Sequence, residues 1–172
     1  MRIVIASVGR ARNAPEEAIA ADYLERAQGL GRKLGFQIIE LAIVETSRAA
    51  TAPARMAEEA KRLAAKIPKG ARTIALDERG RTMTSEAFAH HLAKLRDGGG
   101  DLVFLIGGPD GLSPSFRDAA NERLAFGPQT WPHGLARAML AEQIYRALAI
   151  LSGHPYHRGG LDDRHKSNSV TV

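Results

Sequence analysis

The chain has 172 residues and a formal charge of +5, with 44% hydrophobic and 25% charged residues. It contains no cysteine, which excludes a disulfide framework, an iron–sulfur cluster and a thiol nucleophile. No apolar run approaches the ~20 residues that a membrane-spanning helix needs, and the first residues show no signal-peptide pattern. We therefore expect a soluble, cytoplasmic protein of ordinary globular composition.

Short aliphatic runs alternate along the chain with longer segments of helical spacing. The predicted strands are Ile3–Val8, Phe36–Val44, Thr73–Leu76, Leu102–Ile106 and, more weakly, Leu124–Phe126. The predicted helices are Pro15–Leu34, Pro53–Ile67, Ser85–Arg96, Pro114–Asn121 and Gly134–Leu151. Strands that alternate with such helices are typical of βαβ units, so we predict an α/β fold whose mostly parallel sheet is flanked by helices.

The pattern predicts a single domain with a short tail. No linker or internal repeat divides residues 1–158, whereas residues 159–172 have no usable periodicity and are expected to form a poorly ordered tail. Two local signals support the element boundaries: Gly35 suits a helix C-terminus, and Ser113 before Pro114 suits a helix N-cap.

Three segments follow predicted strands at the carboxyl edge of the sheet, where open α/β folds bind ligands. They are 76–80, 107–111 and 127–133. The G-x-G-x-x-G, G-x-x-x-x-G-K-[ST] and G-x-S-x-G motifs are absent, which removes the main support for dinucleotide binding, P-loop hydrolysis and α/β-hydrolase chemistry. The G-G-P-D-G segment at 107–111 is compatible with a tight turn or with a ligand-binding loop. The second stiff loop, with its glycine and two prolines, favours a cleft of backbone groups that recognises an adenine edge.

Reactive side chains concentrate near the end of the chain. The sequence H-P-Y-H-R at 154–158 follows the last predicted helix directly. Its spacing fits no standard zinc pattern, so we predict no metal site. It is compatible with a frayed polar terminus and, equally, with a cluster that stacks on a base and contacts phosphate.

Several motifs together carry a family resemblance. They are I-A-L-D-E-R-G at 74–80, F-L-I-G-G-P-D-G at 104–111, T-W-P-H at 130–133, E-Q-I-Y-R-A at 142–147 and H-P-Y-H-R at 154–158. In this order, over residues 1 to about 158, the chain resembles the bacterial SPOUT-class methyltransferases that modify N3 of a pseudouridine in large-subunit ribosomal RNA. The resemblance implies a C-terminal trefoil knot, which periodicity does not reveal, together with a homodimer and S-adenosylmethionine (SAM) as methyl donor. No metal and no membrane partner are implied.

The resemblance also implies site residues and a substrate. Carried over by position, the SAM contacts are Leu76, Gly107, Gly127, Pro128, Gln129, Thr130, Trp131 and Pro132. The implied substrate is a stem-loop of 23S rRNA in the assembled ribosome, whose base nitrogen displaces the sulfonium methyl group while the protein provides orientation.

We further hypothesise which residues face the bound nucleotide. Tyr156 would stack or hydrogen bond, His157 is a candidate base and Arg158 would stabilise charge. Arg146 is a further candidate, and the basic loop at 10–12 is a hypothesised RNA contact.

Two other functions stay open. One is a SPOUT methyltransferase that acts on another RNA such as tRNA, and the other is a non-catalytic ribosome-binding factor that uses the same basic face. The H-P-Y-H-R segment and the lack of an added RNA-binding domain favour the ribosomal substrate. The chain continues past that segment to Val172, which departs from the family pattern and leaves the role of the tail open.

Overall fold

The computed structural model describes residues 1–9 and 14–157. The strands are β1 (Arg2–Val8), β2 (Ile38–Val44), β3 (Arg72–Arg81), β4 (Leu102–Ile106) and β5 (Glu122–Leu124). The α-helices are α1 (Pro15–Gly31), α2 (Ala52–Ala64), α3 (Ser85–Asp97), α4 (Pro114–Asp118) and α5 (His133–Ser152). A 3-10 turn over Arg32–Leu34 extends α1. The described part of the chain contains no helix long and apolar enough to cross a membrane.

The five strands form one parallel sheet in the order β2-β1-β4-β3-β5. Helices flank it, which confirms the predicted α/β fold. All five residues of β4 are buried, because a parallel sheet covered on both faces needs apolar side chains on both. The trefoil knot stays a prediction of the resemblance.

The sheet separates two apolar layers, and β1 shows how the sequence builds both. Ile3 and Ile5 belong to the layer that includes the buried residues of α1, α3 and α5, whereas Val4 packs in the opposite layer with Leu63 of α2. Side chains alternate between the two faces of a strand, so one short aliphatic run supplies both cores.

Capping side chains fix several helix starts. Thr51, Thr84 and Ser113 each accept a hydrogen bond from a backbone N–H in the first turn of α2, α3 and α4, respectively. Each bond satisfies a donor that the first turn leaves without a partner. Gly35 adopts a left-handed φ of 83° after the 3-10 turn, so the predicted helix end and the predicted cap at Ser113 are confirmed.

The end of β3 differs from its predicted position. The strand was expected to stop at Leu76, but it continues to Arg81, and β5 lies two residues earlier than expected. Gly80 explains the extension, since a Cβ there would lie 2.6 Å from the carbonyl carbon of Leu124. Glycine in a strand often marks such a close backbone approach. It lets Arg81 pair with Leu124, and the Ala125 N–H then donates to the Arg81 carbonyl over 3.0 Å.

Candidate functional site

A cavity of about 600 Å³ opens at the carboxyl ends of β4 and β5, beside residues 76–78 of β3. Its walls come from residues 76–78, 106–112, 124–127 and 129–133, with Arg117 of α4 and Ala136 of α5. Its size falls in the range of roughly 300–1,000 Å³ that is usual for small-molecule sites. All three segments predicted at this edge of the sheet therefore contribute to one cavity.

A tight glycine turn forms the wall that follows β4. The Gly111 N–H donates to the Gly108 carbonyl over 2.9 Å, with Pro109 and Asp110 at the two central positions. Proline favours the first of these positions because its φ is already fixed. The turn folds back onto Gly107 so closely that a Cβ there would lie 2.5 Å from the Leu112 nitrogen. The wall therefore presents bare backbone to the cavity.

The loop after β5 forms the facing wall. Gly127 has a φ of 109°, and the Thr130 hydroxyl donates to the Glu78 carboxylate over 2.6 Å, which ties the loop to β3. Trp131 is 41% exposed at this cavity. Of the eight predicted SAM contacts, seven line the cavity and Pro128 does not.

Carboxylates outnumber fixed positive charges in the cavity wall. Asp77, Glu78 and Asp110 line it together with Arg117, whose Nη1 lies 3.5 Å from Asp77 Oδ2. A hydrogen bond from Arg55 holds the pKa of Asp110 below its ordinary value, so this carboxylate is charged at neutral pH. With Asp77 beside Arg117 and Asp110 paired to Arg55, Glu78 leaves this wall with a net negative charge, which favours a cationic ligand.

His133 begins α5 and also lines the cavity, although it is not among the predicted site residues. Burial, followed by the nearby Arg137 charge, lowers its pKa from the ordinary value of 6.5, while Glu17, Glu16 and Glu59 act in the opposite direction. The ring is therefore neutral at pH 7 and offers one donor and one acceptor nitrogen to the cavity. Its position directly after the T-W-P segment is the sequence signal that could have identified it.

We expect His133 to titrate below pH 6.5 in the folded protein, as followed by the ring C–H signals in NMR. Because the folded pKa lies below the unfolded one, the unfolded chain binds more protons in this window. Stability that is present above the unfolded pKa is therefore lost as the pH falls towards the folded value. His133→Gln should remove this part of the pH dependence, and a midpoint at or above 6.5 would contradict the assignment.

The predicted catalytic residues Tyr156 and Arg146 form a separate cluster around Glu142. Tyr156 donates a hydrogen bond to Glu142 Oε1 over 2.9 Å, and its hydroxyl lies 3.2 Å from that of Tyr23. Arg146 Nε donates to the same carboxylate oxygen over 2.8 Å, and its guanidinium lies 4.8 Å from the centroid of the Tyr156 ring. Burial and these hydroxyl and carboxylate neighbours raise the pKa of Tyr156. Tyr156 is therefore a hydrogen-bond donor rather than a base at neutral pH.

The structure does not bring this cluster and the cavity together within one chain. His157 Nε2 lies 2.9 Å from Glu86 Oε1 at the start of α3, and neither His157, Tyr156 nor Arg146 lines the cavity. At ~1.5 Å per residue, Glu142 lies roughly 13 Å along α5 from His133.

Two predicted contacts cannot be placed. Arg158 and the basic loop at 10–12 lie outside the described residues. Within the described ranges, no group of three His, Cys, Asp or Glu side chains is arranged to hold a metal ion.

A parallel α/β sheet with a backbone-lined cavity at its carboxyl edge is the arrangement in which α/β proteins commonly bind small molecules. The family model described as "Predicted SPOUT methyltransferase" matches residues 1–157. The chain belongs to this family and is a methyltransferase, which confirms the predicted resemblance.

Curated relatives cover nearly the whole chain. The Ribosomal RNA large subunit methyltransferase H of Bradyrhizobium diazoefficiens is 50% identical over 159 residues, which is 92% of this chain and 99% of the relative. Proteins of the same name from Afipia carboxidovorans and Paracoccus denitrificans are each 50% identical over the same shares of the two chains.

Proposed function

We propose that this methyltransferase transfers a methyl group from SAM to N3 of a pseudouridine in 23S rRNA of the large ribosomal subunit. The observation that carries the proposal is the cavity at the carboxyl edge of the sheet, which gathers seven of the eight predicted SAM contacts. The printed names of relatives that match 92% of the chain support the ribosomal substrate.

The residues of the cavity fit SAM. The bare backbone at Gly107 and Gly108 provides space and hydrogen-bonding groups for an adenine edge, and Leu76, Phe126 and Trp131 supply apolar surface. The carboxylates of the wall suit the positive sulfonium. When bound, SAM supplies an electrophilic methyl carbon.

The protein's own part in the reaction is orientation and charge. The target nitrogen has to be held about 3 Å from the methyl carbon, in line with the bond that breaks. N3 also loses a proton, for which we propose His157 as the acceptor. Tyr156, whose one hydroxyl proton is donated to Glu142, stacks on the base or accepts a hydrogen bond from it. Arg146 and Arg158 are the proposed stabilisers of developing negative charge.

We also propose a homodimer in which one copy presents its 154–158 segment to the cavity of the other. This arrangement unites two groups of residues that lie apart within a single chain. Exposed apolar side chains support it: Ile19 is 48% exposed on α1 and Leu135 is 44% exposed on α5. The starts of these helices are adjacent, since a Cβ at Gly134 would lie 2.8 Å from Glu16 Oε1. A dimer that covers this region would remove both aliphatic side chains from water. We propose that residues 1–158 form the single methyltransferase domain and that the protein is located in the cytoplasm.

Radiolabelled methyl transfer from SAM tests the function directly. Whole ribosomes, separate subunits, bare 23S rRNA and tRNA are the acceptors, and label on large-subunit rRNA at the pseudouridine is the expected result. Label only on tRNA would identify the alternative substrate. Calorimetry with SAM alone tests the cofactor, because a non-catalytic ribosome-binding factor gives no heat.

Two separately inactive variants should complement each other if the site is shared between copies. Gly107→Ala disables the cavity, and the double variant Tyr156→Phe, His157→Ala disables the C-terminal segment. After mixing and subunit exchange, half of the dimers contain one of each chain, and each of these has one intact site. Methyl transfer should then recover to about a quarter of the wild-type rate. If mass spectrometry shows mixed dimers but activity does not recover, the shared site is contradicted. His90→Ala, on the exposed side of α3, is the matched control for the histidine substitution and should keep its activity.

A further inference from the structure

The inner face of α2 contacts the glycine turn from the side opposite the cavity. Arg55 and Glu59 stand one helical turn apart, and Leu63 follows a turn later, fully buried. Residues four apart share a helix face, so both charged side chains extend from the face that α2 packs inward. Neither of them lines the cavity.

Arg55 holds the tip of the turn through a two-pronged ion pair. Its Nε lies 2.7 Å from Asp110 Oδ2 and its Nη2 lies 3.0 Å from Oδ1. The two side chains are only 29% and 23% exposed. Arg55 Nη1 also donates to the carbonyl of Ala49 over 3.2 Å. A planar guanidinium bound at both prongs fixes direction as well as distance, so the turn is held against the connection between β2 and α2.

Glu59 supports the base of the same turn. Its side chain is buried, with 2% of the residue exposed, and Oε1 accepts a hydrogen bond from the Ser47 N–H over 2.9 Å. A Cβ at Gly108 would lie 3.1 Å from Oε2, so the carboxylate lies directly behind the glycine. Among the described residues, Oε2 has no hydrogen-bond partner. Burying a carboxylate this way is costly, and its position behind Gly108 leaves the turn no room to retreat from the cavity.

We propose that Arg55 is a positioning residue for SAM, acting through Asp110 to hold the 107–111 turn in its binding geometry, with Glu59 as the backstop behind Gly108. The inference rests on the proposed function, since it assigns SAM to the cavity. The turn has backbone bonds of its own, so loss of the ion pair loosens its tip without dismantling the fold. The affinity for SAM then falls while the RNA-facing chemistry is retained.

The test measures SAM binding by calorimetry on the full chain, together with steady-state kinetics on ribosomes. Arg55→Ala should weaken SAM binding about tenfold, a factor typical of a charge-assisted hydrogen bond lost behind the site. The KM for SAM should rise by a similar factor, with kcat at saturating SAM and the KM for ribosomes unchanged. A purely structural defect would instead lower kcat through a smaller active fraction.

Arg62→Ala is the matched control, because this arginine of the same helix bonds Glu58 and the Glu45 carbonyl but not the turn. Its SAM affinity should equal that of wild type. If Arg55→Ala does not fold, the test uses Arg55→Lys, which keeps the positive charge but cannot form the two-pronged contact with Asp110. The inference is overturned if the Arg55 variant binds SAM within twofold of wild type, or if Arg62→Ala weakens binding equally. Failure of the wild-type protein to bind SAM would instead overturn the proposed function.

Discussion

Gly107→Ala should abolish methyl transfer and weaken SAM binding by about a hundredfold or more. The new Cβ would lie 2.5 Å from the Leu112 nitrogen and 2.8 Å from the Gly111 carbonyl oxygen. Both are backbone atoms, so the collision cannot be relieved by a side-chain rotation, and the turn that walls the cavity has to move. A displacement of about 1 Å at a positioning element can cost a hundredfold in rate. Calorimetry with SAM and methyl transfer to ribosomes measure the two effects.

Gly98→Ala provides the matched control for this substitution. Gly98 lies after α3 with a φ of −73°, and a Cβ there meets only ordinary contacts at 3.5 and 3.6 Å. The same added methyl group should leave SAM affinity and activity unchanged. If Gly107→Ala bound SAM as tightly as Gly98→Ala, the glycine turn would not be part of the SAM site.

The sequence predicted the architecture because its signals are local. The aliphatic run of β4 and the caps at Ser113 and Gly35 depend on residues adjacent in the chain. The end of β3 could not be predicted in this way. The segment D-E-R-G-R is charged and has no strand pattern, and it is strand only because Gly80 admits the backbone of Leu124 from far along the sequence.

The site residues likewise fall into those that the sequence predicts and those that depend on contacts between distant parts of the chain. Residues that follow parallel strands meet at one sheet edge by topology alone, so the loops after β4 and β5 were predicted to form a cleft, whereas Leu76 and Gly107 were implied as SAM contacts by the resemblance. The place of Tyr156 depends on how α5 packs on α1, where Tyr23 and Tyr145 receive its ring. Sequence proximity to the helix end did not reveal that Glu142 binds it. The buried pairing of Arg137 with Glu17 was likewise missed, since an arginine on an apolar helix gives no sign of its partner.

Arg137→Met should cost about 1–3 kcal/mol of unfolding free energy, because it leaves the partly buried Glu17 carboxylate, 18% exposed, without its partner. Arg137 is only 1% exposed, and it is the largest fully buried side chain of the described residues. It forms an ion pair with Glu17 of α1, and its Nε donates to the Ser7 hydroxyl over 3.2 Å. Methionine fills much of the space but supplies no donor, so the Glu17 carboxylate loses its countercharge. Urea denaturation at fixed protein concentration should show a lower midpoint with an unchanged slope.

Adding Glu17→Gln separates loss of the pair from loss of volume. Removing both charges should recover part of the stability, since the penalty of Arg137→Met comes largely from the unpaired carboxylate and not from the packing. Arg26→Met is the matched control: it breaks an exposed ion pair with Asp22 on α1, and exposed pairs contribute little. A stability loss for Arg137→Met no larger than that of Arg26→Met would contradict the assignment. It would mean that apolar packing alone joins α1 and α5 near the end of β1. The ion pair would then not help to position α5, whose first residue, His133, lines the cavity.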